Sequence, residues 1–263
     1  MVSGGDNLPS RIILHGMAGV GKTSFAAMAP KPIFLMSPGE TGVKTLINAK
    51  QIDPVDQLPV MHNWESVLSA IDQLTEEEHL FKTLVIDVLE GIEGLCHNWT
   101  CDNMYRGDWG PKGFMCYQAG YKSAISPWKQ FLFKLDQLRE KRLMGIIGLC
   151  HTTVSNPNNP EGDDYGRYVP AMRKETWEVT HGWADIVLFA NYFVHVENAG
   201  EGRKAKGTGG SQRFIHTNRM AAYDAKNRHG LPDEIDMGES HKDSWSNFAA
   251  AMKAAKEQKG DEN

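Results

Sequence analysis

Apolar residues recur along this chain at two periods, and the two alternate. Short, nearly continuous apolar runs stand at 11–15 (RIILH), 31–37 (KPIFLMS), 83–87 (TLVID), 142–151 (RLMGIIGLCH) and 184–193 (ADIVLFANYF). Runs of this length, rich in Ile, Val, Leu and Phe, predict strands covered on both faces. Between them the spacing becomes helical. Asn63 can cap a helix through WESVLSAIDQLTEEE, which puts Trp64, Val67, Leu68, Ile71 and Leu74 on one side. A second helix is predicted after Asp87, and a longer one over 118–141 with Trp128, Phe131, Leu132, Leu135 and Leu138 on one face. Two further strands, QRFIHT and MAAYDAK, come late in the chain. The C-terminal stretch HKDSWSNFAAAMKAAKEQKGDEN predicts an amphipathic helix with Trp245, Phe248 and Met252 facing inward, then a charged tail. Alternating strands and helices imply an α/β fold, a doubly wound and mainly parallel sheet with an antiparallel C-terminal strand extension. The expected division is a main domain over 1–242 and a helix with tail over 243–263.

Composition narrows the partners. The net charge of −5 argues against bulk electrostatic capture of nucleic acid, so such contacts must rest on local patches. The longest apolar run, LMGIIGLC, is too short to span a membrane, and the polar start MVSGGDNLPS has no apolar signal region. Four cysteines, Cys96, Cys101, Cys116 and Cys150, suit a reducing, cytoplasmic setting. Cys96, His97, Cys101 and Cys116 could be assembled into a zinc site, but their spacing fits no paired CxxC pattern.

The candidate chemistry begins where the first strand ends. In RIILHGMAGVGKTS, Gly16, Gly21, Lys22 and Thr23 satisfy G-x-x-x-x-G-K-[ST] between a strand and a run of helix formers that Pro30 stops. Residues Gly16, Met17, Ala18, Gly19, Val20, Gly21, Lys22, Thr23 and Ser24 are therefore the expected nucleotide-binding loop. Glycines let backbone N–H groups face a phosphate, Lys22 reaches the β- and γ-phosphates of ATP, and the Thr23 hydroxyl binds Mg²⁺. Asp87, at the end of an apolar strand, supplies the second metal-facing group.

Several classes of phosphate-loop protein fit poorly. A Ras-like GTPase needs Asn-Lys-x-Asp or Thr-Lys-x-Asp, and FKLD differs at its first position. An AAA+ ATPase usually carries Asp-Glu at the end of this strand, but Val88 follows Asp87. A small-molecule kinase needs an arginine lid, and REKR at 139–142 reads as a solvated helix face. The stretches RIILHGMAGVGKTSFAAMAPKPIFLMSPGETG, TLVIDVLEGIEGLCHNWTC, GLCHT, WADIVLF and AKNRHGLPDEI resemble the RecA-like P-loop ATPases, closest to the phage-borne members associated with single-strand annealing, an AAA-type ATP-binding domain of phage origin. The resemblance covers most of 8–236.

It implies an ATPase working with Mg²⁺ on single-stranded DNA, as a homo-oligomer with nucleotide at subunit interfaces and no membrane partner. It also implies that His151 is a polar sensor beside the γ-phosphate, against the plainer reading of a satisfied histidine at a strand end. Lys226 and Arg228 would be a basic pair reaching a neighbouring subunit's nucleotide; a charged strand edge is the plainer reading. The group places a water-orienting glutamate where this chain has Pro38. Glu40, two residues on, is either that residue through a shifted turn or a surface acid.

Two long connections mix aromatics with cations, as stacking on unpaired bases requires. Residues 101–122 hold Tyr105, Arg106, Trp109, Lys112, Phe114, Tyr117 and Lys122; residues 152–182 hold Tyr165, Arg167, Tyr168, Arg173, Lys174 and Trp177. A third patch carries Arg203, Lys204, Lys206 and Arg213. The alternatives are a nucleotide-switched DNA-binding or loading protein with little turnover, and a P-loop small-molecule kinase.

Overall fold

The computed structural model describes residues 8–156, 162–193, 195–197, 206–208 and 210–261, with backbone alone at 195–197, 206–208 and 259–261. The chain opens with β1 (Arg11–Gly16), a glycine loop and α1 (Lys22–Ala27), then β2 (Pro32–Met36), α2 (Gly42–Asn48), β3 (Asp56–Gln57) and α3 (Trp64–Glu76). β4 (Thr83–Asp87) leads into α4 (Leu89–Tyr105), a 3-10 turn at Cys116–Gln118, α5 (Ala119–Ser123) and α6 (Ile125–Arg142). Next come β5 (Gly145–Ser155), β6 (Arg167–Pro170), α7 (Lys174–Trp183) and β7 (Ile186–Tyr192). A ribbon of β8 (His195–Glu197) and β9 (Lys206–Thr208) is followed by β10 (Arg213–His216), β11 (Lys226–Asn227), β12 (Glu234–Asp236) and α8 (His241–Asp261).

The main sheet runs β12-β10-β7-β1-β5-β4-β2-β3. From β7 to β3 every pair is parallel, and β10 and β12 add antiparallel strands at the far edge. This is the mainly parallel sheet with an antiparallel C-terminal extension that the alternating pattern implies. β5 lies between the glycine-loop strand β1 and the Asp87 strand β4, and its register sets His151 opposite Gly16.

Side chains alternate across the strands and divide the core in two. Ile13, Leu35, Leu84, Ile86 and Ile146 pack with Trp64, Trp128, Phe131 and Leu135 of α3 and α6. Leu14, Phe34, Val85, Ile147 and Leu188 pack with Phe25 of α1 and Phe248 of α8. The Asn63 side chain accepts from the Ser66 N–H at 2.8 Å, so the predicted cap starts α3. Trp64 then stacks on Trp128 with ring centroids 6.1 Å apart.

Three stretches differ from the pattern reading. The helix expected over 118–141 is two helices, with α6 restarting at Ile125, because Pro127 lies in its first turn and has no N–H to continue α5. MAAYDAK is mostly a turn, closed by reciprocal Met220–Tyr223 backbone bonds at 3.3 Å; only Lys226 and Asn227 pair with β7. The long connection expected over 152–182 is largely regular structure: β5 runs on to Ser155, β6 pairs back on it, and α7 follows.

Candidate nucleotide site

The glycine loop is shaped by what surrounds it. At Gly16 a Cβ would run into the Ala190 carbonyl oxygen of β7, so a side chain there would push two paired strands apart. Gly21 caps α1 at φ 104°, a left-handed conformation that favours glycine, and a Cβ there would meet Arg213 Nη1 at 2.8 Å. Lys22 is buried, and its ammonium donates to the Gly16 and Met17 carbonyls at 2.8 and 3.1 Å. Burial pulls its pKa down, opposed by the nearby charges of Glu90, Asp87 and Glu40 among others.

Opposite the loop, Thr23 Oγ1 donates to Asp87 Oδ2 at 3.1 Å. The Asp87 carboxyl is pushed up to about 6, mainly by burial, and Glu40 adds to the rise. Ser37 clamps this strand end: its N–H donates to the Asp87 carbonyl at 2.8 Å, and its hydroxyl accepts from Val88 N–H at 3.1 Å. A cleft of about 390 Å³ is lined by the loop, Glu40, Asp87, His151, Arg213 and His241. Of the residues expected to act on nucleotide, Lys22, Thr23, Glu40, Asp87 and His151 thus share one cleft. Two carboxylates and a buried ammonium around a glycine loop suit a polyanion accompanied by a divalent cation.

Two contributors escape pattern reading. Arg213, set opposite Tyr192 by β10–β7 pairing, donates to the Val20 carbonyl at 3.3 Å, while the Tyr192 hydroxyl donates to Gly19 O at 3.0 Å. In the sequence Arg213 reads as one cation of a loop patch, and only strand pairing carries it to the glycine loop. Glu90, in the first turn of α4, accepts from the His151 backbone N–H at 3.0 Å and meets His151 Nδ1 at 2.5 Å. A glutamate three residues after Asp87 matches no motif, but its place at a helix start directly after that strand is a usable signal.

Other expected site residues lie elsewhere or are engaged. Lys226 Nζ donates to the His181, Gly182 and Ala184 carbonyls at 2.6, 3.2 and 2.6 Å, so it closes the C-terminal end of α7. β11 ends at Asn227, whose Oδ1 accepts the N–H groups of His229, Gly230 and Leu231. The turn this makes breaks the alternating strand expected to put Lys226 and Arg228 on one face; Arg228 itself is exposed.

Arg167, expected to meet DNA, donates to Asp224 Oδ1 at 3.1 Å and Tyr223 O at 3.3 Å, with 13% of its side chain exposed. Trp177 and Phe114 are buried and present no stacking face, and Trp177 Nε1 donates to Asp224 Oδ2 at 2.8 Å. Arg173 joins the two segments: its guanidinium lies 4.0 Å over the Tyr121 ring and donates to Gln118 Oε1 at 2.8 Å. Arg106, Lys112, Lys174 and Tyr117 are exposed. Arg203 and Lys204 lie outside the described residues, and only the backbone of Lys206 is described, in β9. Cys96 and Cys101 are buried, the Cys96 thiol is pushed up to about 12 by burial, and no metal-holding group of three His, Cys, Asp or Glu occurs among the described residues.

A glycine loop between β1 and α1, facing Asp87 at the carboxyl ends of a mainly parallel sheet, defines a P-loop nucleotide-binding domain. The chain belongs to the AAA domain family, which matches residues 8–229, although Val88 rather than glutamate follows Asp87. No curated protein matches the chain. Among solved structures it is similar to "Crystal structure of the RadB recombinase", at 10% identity and a TM-score of 0.47, over 89% of this chain and 90% of that one. No helix among the described residues is long and apolar enough to cross a membrane.

Proposed function

We propose that the protein binds ATP with Mg²⁺ in this cleft, hydrolyses it, and couples the cycle to single-stranded DNA in phage-type recombination or replication within the host cytoplasm. The observation that carries the reading is the convergence of Lys22, Thr23 and Asp87 in one cleft. Lys22, held on the loop's own carbonyls, can exchange these weak acceptors for phosphate oxygens. Thr23 and Asp87 would hold the cation, and phosphate and water would complete its sphere, as Mg²⁺ favours. The bound cation would neutralise charge on the transferring phosphoryl group.

DNA would cross the surface where Arg173 ties α7 to Tyr121, with Arg106, Lys112, Tyr117 and Lys174 around it. Support comes from the exposure of these side chains and from the contact between the two segments. Nucleotide would lie at a subunit boundary in a homo-oligomer, with Arg228 the cation offered in trans. The kinase reading loses its lid: Arg139 pairs with Asp185 at 3.7 Å, and Arg142 donates to the Thr75 carbonyl at 2.9 Å.

The test is ATP hydrolysis with and without single-stranded DNA. Lys22→Ala should fold normally and lose at least about 100-fold in rate, on the scale of one to two lost charge-assisted contacts to phosphate. Wild-type turnover by Lys22→Ala would refute nucleotide use, and a DNA-independent rate would remove the DNA arm.

A further inference from the structure

The cleft holds an arrangement that none of the roles above explains. His151 ends the buried part of β5, opposite Gly16, and its side chain lines the cleft while staying 40% exposed. Behind it stands Glu90, 18% exposed. One carboxylate oxygen, Oε1, accepts from both the His151 backbone N–H and ring Nδ1. The other, Oε2, is buried without a hydrogen-bond partner among the described residues. An unpartnered carboxylate oxygen in the interior costs free energy, so its retention calls for a purpose.

The neighbours make that purpose specific. Cys150 beside it is fully buried, and its thiol is pushed well up by burial and by the Glu90 charge, so it stays a neutral neighbour. Glu90 also acts on the Lys22 ammonium and on Glu93, and the Cys150 thiol hydrogen-bonds to it, but the His151 ring is the cleft-lining group that donates to its carboxylate. An acceptor on Nδ1 fixes the ring proton there and leaves Nε2 as a lone-pair acceptor, the way a carboxylate orients a histidine in hydrolytic sites.

We propose that His151 and Glu90 form a dyad that activates the attacking water, with His151 the catalytic residue and Glu90 its positioning residue. This rests on the ATP-hydrolysis reading of the same cleft. The water oxygen forms a bond to the γ-phosphorus as its proton passes to His151 Nε2. The bond between that phosphorus and the bridging oxygen breaks, and its electron pair leaves on ADP. Glu90 stabilises the imidazolium, which then returns the proton to solvent. Glu40 is left beside Asp87, where its charge already acts on that carboxyl and a cation would relieve the pair.

Glu90→Gln tests the dyad, because a glutamine carbonyl can still accept from both His151 donors and loses only the charge. The assay measures kcat together with affinity for a fluorescent ATP analogue in Mg²⁺, alongside wild type, His151→Ala, the double variant and Lys22→Ala. Expected are an affinity within about twofold of wild type and a kcat at least tenfold lower for Glu90→Gln. The double variant should lose no more than His151→Ala alone, as residues acting in one unit do. If Lys22→Ala is dead while Glu90→Gln keeps wild-type kcat, Glu90 is a structural staple and the dyad alone is overturned. If Lys22→Ala turns over like wild type, or wild type does not hydrolyse ATP, the nucleotide reading falls and the dyad with it.

Discussion

At the scale of single residues, His15 shows how closely the glycine loop is tied to the rest of the chain. It stands one position before Gly16 and is fully buried. Its Nε2 donates to the Asp224 carbonyl at 2.8 Å, and its Nδ1 meets Thr152 Oγ1 at 2.9 Å. Both ring nitrogens are satisfied in the neutral form. Burial, helped by the Lys22 and Arg167 cations, lowers its pKa to about 4. The unfolded chain, whose histidine titrates near 6.5, takes up a proton first as pH falls, so stability present above about 6.5 is lost on acidification toward 4. Between pH 6.5 and 5 that loss is about 1.5 kcal/mol for this ring. His97, also lowered to about 4, adds in the same direction. Asp87 and Glu93, raised to about 6 and 7, act in the opposite sense over the same window, so the test is the difference between variants: urea midpoints measured from pH 7.5 to 5 should fall further for wild type than for His15→Gln, and equal slopes would show that His15 is not a titrating group.

At the scale of elements, α7 is fastened at both ends by long-range partners. Glu93 of α4 accepts the Arg173 N–H at its start, at 3.1 and 3.2 Å, and Lys226 meets three carbonyls at its end. A cation at a helix C-terminus also opposes the negative end of the dipole. Lys226→Ala should therefore cost about 1–2 kcal/mol and speed amide exchange in the last turn of α7. Arg228→Ala, at an exposed site, should bind ATP nearly normally and hydrolyse it poorly in the assembled protein. Mixing Arg228→Ala with Lys22→Ala should restore part of that activity, since about a quarter of random head-to-tail interfaces join intact halves. A mixture that exchanges subunits and stays inactive would leave Arg228 a surface charge.

Across the whole molecule, the C-terminal helix supports the nucleotide site from behind. Phe25 of α1 packs against Trp245 and Phe248 of α8 with ring centroids 5.1 and 5.4 Å apart. Lys22 and Thr23 sit on the same short helix. Phe248→Ala should cost about 3–5 kcal/mol through the cavity it leaves, and should weaken nucleotide affinity although Phe248 is not among the residues that line the cleft. Thermal unfolding and nucleotide titration read the two effects separately. A stability loss with unchanged affinity would mean that α1 keeps its place without α8.

What the sequence determined by itself is what neighbouring residues encode together. The strand runs, the Asn63 cap, the glycine loop with Lys22 and Thr23, and Asp87 at a strand end all depend on spacing over a few residues, because backbone period and loop chemistry are local. The same reasoning failed where a residue's role is set by a partner far along the chain. Arg167, a DNA-facing cation in the pattern, is taken up by Asp224, 57 positions on. Lys226, half of a finger in the pattern, closes a helix 42 to 45 positions earlier. Arg213 reaches the glycine loop across 193 positions, and Glu90 reaches His151 across 61. Cations and carboxylates of one kind look alike in sequence; which of them meets solvent, a backbone carbonyl or a catalytic cleft was decided by strand order and helix packing, since the energy of a charge depends on what surrounds it in space.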